Sequence, residues 1–290
     1  GDQLGYLAAA FTEPEVPTYF EVVMETADLL LVGKPAGTPV ARTGLIVRNT
    51  LVNLLRSHYG EDIHPLHRLD RETSGLILCA RNREACQRWQ QPRHQLITGK
   101  YYLAIVQGRM APGIHHADQP LAVRPESAVR CRMWPEAGGK ACLTVFHTLA
   151  ATTTVSLVLA ELITGRRHQI RAHLAQLGHP VIGDKIYSHD DHFFLKRVEG
   201  ELTSADFLEL GAMNHTLHAW AMRLKLPDCQ EKLHFSSLFS ADLRRHLEFF
   251  PGWENRARVQ LAEIMAAPPL YSRTKNGDRP CPRLSTSPAP

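Results

Sequence analysis

Asp70 lies in a twelve-residue stretch, residues 64–75, that reads His-Pro-Leu-His-Arg-Leu-Asp-Arg-Glu-Thr-Ser-Gly. Its neighbours in sequence are Arg68, Arg71, His64 and His67, and Glu72 is the only other acid. A carboxylate among cations stays ionised well below neutral pH. On a loop, such a group can serve as a nucleophile or a base. The same pattern also fits a surface loop whose aspartate caps the next element, and charge pattern alone favours that plainer reading.

A second chemistry-bearing stretch runs over residues 161–178, with Arg167, His168 and Arg171 close together. Thr164 is placed to cap a helix and Gly178 to end it, with Ile170, Leu174 and Leu177 as the buried stripe. Cations at a helix start that follows a strand can hold an anion. A basic amphipathic helix packed on a sheet explains the same residues. Tyr101 and Tyr102 sit side by side in a β-prone run, residues 99–108, so one must face each side of a sheet. The one over a groove could stack on a nucleic-acid base, although core packing accounts for either ring. Lys34 begins a Pro- and Gly-fixed loop, where it could meet a phosphate, an acid or only solvent. His189-Asp190-Asp191-His192 lacks the ligand spacing of a closed zinc site and reads as a solvated acidic loop.

Several elements must position these residues. Strands are expected over residues 20–25, 29–32, 75–80, 99–108, 141–147, 153–162 and 215–226, from β-prone or alternating runs. Helices are expected over residues 49–59, 82–94, 240–250 and 256–266. Residues 109–140 carry four prolines and read as loops and short strands, an RNA-facing insertion. Residues 188–213 read as a mobile excursion, and the Pro/Ser/Arg tail from residue 267 as disordered.

Composition narrows the class. The 290 residues are 44% hydrophobic and 21% charged, as in a globular protein, and no apolar run is long enough to span a membrane. The net charge is only +4, but eight Arg and Lys face three acids between Arg68 and Arg109. Local positive patches of this kind suit a polyanion. Six scattered cysteines without a C-x-x-C pair point to buried thiols in a reducing compartment, the cytoplasm.

Taken together, three segments resemble the RluA-type family of pseudouridine synthases. They are Lys34-Pro35-Ala36-Gly37, then the run from His67 to Gly75, then Gly165-Arg166-Arg167-His168-Gln169-Ile170-Arg171. The strand Lys100-Tyr101-Tyr102-Leu103-Ala104 and the later Gly178-His179-Pro180-Val181-Ile182-Gly183-Asp184 also look like the family. The likeness covers roughly residues 20 to 225, and Arg167 departs from it where the family often has threonine.

The resemblance implies an α+β fold, a mixed, mostly antiparallel sheet flanked by helices, with the catalytic cleft across the sheet. It implies conversion of uridine to pseudouridine in structured RNA, ribosomal or transfer, by a monomer needing neither metal nor cofactor. In the roles it implies, Asp70 is the nucleophile, Arg171 its ionic partner and Tyr102 the ring stacked on the target base. Arg68 extrudes the uridine, His67, Arg71, Thr73, Arg167, His168 and Gln169 contact RNA, and Lys34 and Leu162 support the pocket. Residues 20–266 form the catalytic domain on this reading, with residues 1–19 the exit from an upstream S4-type RNA-binding domain. Two rivals are a catalytically silent RNA-binding protein on the same fold and a hydrolase with paired carboxylates, for which Glu72 or Glu161 would be the second acid.

Overall fold

The structure, a computed structural model, describes residues 12–90, 93–227 and 229–267. The expectations for the first residues and for the tail beyond residue 267 fall outside that range. In chain order the elements begin with β1 (Glu21–Glu25), β2 (Leu29–Lys34), α1 (Leu51–Tyr59), β3 (His64–Pro65) and β4 (Ser74–Ala80). Next come α2 (Arg83–Gln90), α3 (Arg93–Leu96), β5 (Ile97–Gln107), β6 (Gly113–Ala117), β7 (Leu121–Ala122) and β8 (Trp134–Pro135). The chain continues through β9 (Thr144–Ala151), β10 (Val155–Leu162), α4 (Gln169–Gln176), α5 (His192–Glu199) and α6 (Ser204–Leu210). It closes with β11 (Leu217–Leu224), β12 (Lys232–Phe235), α7 (Ala241–Leu247) and α8 (Trp253–Ala266).

One sheet runs in the order β1-β2-β4-β11-β5-β10-β9-β6, with β3 beside β4 and β12 beside β11. Its pairings are antiparallel except where β11 meets β4, at His218↔Ser74 and Ala219↔Gly75. That parallel contact is close. Gly75 has φ +103°, and a Cβ there would run into the Ala219 carbonyl, so only glycine fits after Thr73-Ser74.

The strand alternation divides the core by face. Tyr102, Ala104 and Val106 pack on one face with Leu51 and Leu55 of α1 and with Ile170 and Leu174 of α4. Tyr101, Leu103 and Ile105 pack on the other with Leu243 and Leu247 of α7 and with Ala257 and Leu261 of α8. The two adjacent tyrosines therefore separate as period-2 geometry requires. Trp220 bulges from β11 opposite them, between Ala219↔Tyr102 and Ala221↔Tyr101.

Two expectations change. The helix read from Thr164 begins at Gln169, because His168 takes a left-handed conformation that cannot continue a helix backwards. The Thr164 hydroxyl donates to the Gln169 side chain instead of capping. The excursion over residues 188–213 contains α5 and α6, and Thr203 and Asp206 form a reciprocal capping box at the second of them. Within it Asp191 pairs with Arg132 at 2.6 Å.

Candidate active site

The loop between β3 and β4 is anchored on both sides of Asp70. Leu66 and Leu69 are buried in the core, and the His67 ring accepts the Leu78 N–H at 3.0 Å through Nε2. The Thr73 hydroxyl is hydrogen-bonded to His215 Nε2, and that of Ser74 to His218 Nδ1, each at 2.8 Å. Lys34, fully buried, donates to the carbonyls of Pro35, Thr38 and Arg71 at 2.8, 2.7 and 3.0 Å. The Gly37 N–H adds a second donor to the Arg71 carbonyl. The Arg71–Glu72 peptide is thus clamped while the Asp70 carboxylate projects from the loop.

Arg171, on the first turn of α4, reaches that carboxylate with Nη1 at 3.0 Å from Oδ2. Its other donors grip a second carboxylate, Nε to Asp184 Oδ2 at 2.6 Å and Nη2 to Oδ1 at 2.7 Å. Burial opposes the Arg171 charge, and the two aspartates more than restore it. Burial likewise raises the Asp70 carboxyl, but His168, Arg171 and His215 outweigh it and hold it at about 2. Burial and Arg171 keep His168 itself neutral, at about 3, so the guanidinium supplies the charge that ionises Asp70.

The two carboxylates differ in what remains for them to do. Asp184 is fully buried and also accepts the N–H groups of Ile186 and Tyr187, at 2.9 and 3.1 Å. Both of its oxygens are bound, Oδ1 by three donors and Oδ2 by Arg171 Nε. Asp70 Oδ1 is not held in the same way: among the described residues its ion-pair neighbour is His168 Nε2, at 3.7 Å, and the side chain stays 21% exposed. Of the pair, Asp70 alone can meet a substrate. The Tyr102 phenol lies within its field, since burial and the Asp70 charge both raise it well above the ordinary tyrosine range.

A family model described as RNA pseudouridylate synthase matches residues 28–176, just over half the chain. The chain belongs to that family. It is 31% identical over 246 residues to tRNA pseudouridine synthase C of Haemophilus ducreyi, covering 80% of this chain and 96% of that one. Against the human pseudouridylate synthase RPUSD2 it is 35% identical over 168 residues, 58% of this chain. It spans only 30% of that relative's length, and less than half of several others. In fold it is similar to the human RNA pseudouridylate synthase domain containing 1, with a TM-score of 0.61 at 23% identity, over 89% of this chain and 99% of that one.

The remaining residues picked out from the family motifs divide by placement. Arg68 and Arg167 are exposed. Arg71 is half-buried, and burial and Arg197 lower it. Leu162 packs against the same core face as Tyr102. Thr73 and Gln169, expected at the RNA surface, face inward. Gln169 bridges Thr164, the Arg166 N–H, the Leu143 carbonyl and Thr144, while Thr73 meets the His215 ring, so both residues serve the fold from within.

Sequence reasoning did not single out four residues of this site. Glu72 was weighed only as a rival acid, yet it forms a buried cluster with Lys185 at 2.9 Å and Arg197 at 3.0 Å. Burial raises Glu72, and Lys185, His215 and Arg197 bring it down to about 2. Asp184 ends a segment noted above only for its likeness to the family, and Lys185 and Tyr187 follow directly after it. The available signal was an acid placed directly after Gly183, a glycine at φ +80°.

Proposed function

We propose that the chain isomerises uridine to pseudouridine within structured RNA, with Asp70 as the reacting carboxylate. The bond from uracil N1 to the sugar breaks and one from C5 to the sugar forms. N1 gains a proton and C5 loses one. The change is redox-neutral, so its chemistry calls for no electron carrier. Attack at the anomeric carbon and deprotonation beside it both begin with an ionised carboxylate that has one oxygen free.

The observation that carries the reading is the asymmetry at Asp70: Oδ2 is bound to Arg171 and Oδ1 is open. Arg171 keeps the group ionised and aimed. Tyr102 lies on the same sheet face, where its ring can stack on uracil and its phenol can take part in proton transfer at C5. Arg68, exposed and without an ion pair among the described residues, is the arm that extrudes the uridine. Relatives named for transfer RNA favour transfer RNA as a substrate, with ribosomal RNA as the alternative. The five cysteines among the described residues are free thiols, which suits a reducing compartment such as the cytoplasm.

The test is a map of pseudouridine in total RNA from cells lacking the protein and from cells re-expressing it. Sites lost and regained with the wild-type chain, but not with Asp70→Asn, are expected. An unchanged map in every fraction of RNA contradicts the reading.

A further inference from the structure

His168 and Tyr187 form a second, neutral connection to Asp70 that the ionic pair does not account for. His168 has φ 53° and ψ 13°, a left-handed conformation that a residue with a Cβ adopts at a cost. That backbone turns its ring between two groups. Nδ1 lies 3.3 Å from the Tyr187 hydroxyl, and Nε2 lies 3.7 Å from Asp70 Oδ1. The two rings meet nearly at right angles, with centroids 5.8 Å apart and planes at 82°. Tyr187 in turn is buried, and its ring lies under the Arg171 guanidinium at 5.2 Å.

The Met133 backbone and the charge on Asp70 together set the direction of these hydrogen bonds. The Met133 N–H donates to the Tyr187 hydroxyl oxygen at 2.8 Å, which leaves that hydroxyl free to donate its own proton. Two acceptors stand at 3.3 Å, the Met133 carbonyl and His168 Nδ1. Donation to Nδ1 puts the imidazole proton on Nε2, facing Asp70. The alternative tautomer would aim the Nε2 lone pair at an ionised carboxylate, which is repulsive.

Resting on the reading of Asp70 as the reacting group, we propose that Tyr187 and His168 are positioning residues. Tyr187 fixes His168 as the Nε2–H tautomer, and that N–H orients Asp70 Oδ1. At 3.7 Å the contact is longer than a hydrogen bond. It directs the open oxygen without occupying it, so Oδ1 remains available to the sugar. Burial and Arg171 keep His168 neutral, which suits this role. A protonated ring would bind the carboxylate more firmly and weaken it as a nucleophile.

Long-range proton–nitrogen NMR on the histidine-labelled full chain reads the tautomer directly, with His168→Gln identifying the signal. The expected result is a neutral Nε2–H ring in the wild type and a mixture of tautomers in Tyr187→Phe. In turnover assays Tyr187→Phe and His168→Leu should lower kcat roughly ten- to a hundredfold, with KM for RNA unchanged. His168→Gln, which offers an amide N–H near the Nε2 position, should recover part of that loss. An active wild type whose His168 is Nδ1–H or doubly protonated overturns this inference alone. So does a Tyr187→Phe variant that keeps both tautomer and kcat. A wild type that forms no pseudouridine overturns the synthase reading, and the role given to His168 with it.

Discussion

Asp184 holds Arg171 through two parallel hydrogen bonds, at 2.6 and 2.7 Å, and so fixes the guanidinium whose remaining nitrogen meets Asp70. Without that grip the arginine would be free to lie along either carboxylate. The bidentate geometry aims Arg171 at Asp70 from a residue 13 positions further along the chain.

Asp184→Asn keeps the shape and removes the charge. An amide cannot accept both guanidinium bonds, and a buried charge loses half its compensation. We expect kcat to fall roughly 100-fold, because Nη1 is no longer aimed. Stability should drop by roughly 3 kcal/mol, read by denaturant unfolding. Wild-type kcat in this variant would show that Arg171 is held by something else.

Glu72 ties the loop after Asp70 to Lys185 and, through Arg197, to α5. Its carboxyl is held at about 2, below its ordinary 4.5. The folded state therefore binds the proton less readily than the unfolded chain. The stabilisation is present above about pH 4.5 and is lost as pH falls toward 2, a change of up to about 3 kcal/mol. Unfolding measured against pH should show a shallower acid slope in Glu72→Gln than in the wild type, and equal slopes would contradict the assignment.

Lys34 has the clearest structural task in the site. Its ammonium is the donor to three carbonyls in a fully buried position. Lys34→Met leaves the Pro35 and Thr38 carbonyls without that partner, while the Gly37 N–H still reaches Arg71. We expect a loss of roughly 3 kcal/mol in stability. Turnover measured well below the melting temperature should fall less than in Asp184→Asn. The reverse order would give Lys34 a direct part in the chemistry.

Arg68→Ala should behave in the opposite way. The side chain is exposed, so stability should change by less than about 0.5 kcal/mol. For a uridine inside a paired stem, kcat/KM should fall roughly tenfold, since the arm that fills the vacated stack is gone. A uridine in an unpaired loop should lose less. Equal losses on both RNAs would make Arg68 an ordinary phosphate contact.

Much of this arrangement is legible in the amino-acid sequence. Tyr101 and Tyr102 had to part across the sheet because strand geometry alternates, and they do. The charges around Asp70 fitted a plain surface loop equally well, and the family motifs were what singled out Asp70 and brought in Arg171. What stayed hidden depends on contacts that local sequence does not encode. Thr164 had the residue type of a helix cap, yet its hydroxyl is claimed by Gln169 and the helix starts later. Asp184 and Tyr187 gained their roles only when the chain folded back over α4. The helices within residues 188–213 were masked by an acidic opening, although Thr203-Ser204-Ala205-Asp206 carried a capping-box signature.

The central claim is that Asp70 performs the isomerisation. Formation of pseudouridine must expel the hydrogen on C5 of the target uracil, so RNA labelled with tritium at that carbon releases label to water on turnover. With purified protein and a substrate RNA, the wild type should release tritium in step with pseudouridine formed. Asp70→Asn should bind the same RNA with similar affinity and release none above background. Release by Asp70→Asn at the wild-type rate would contradict the account.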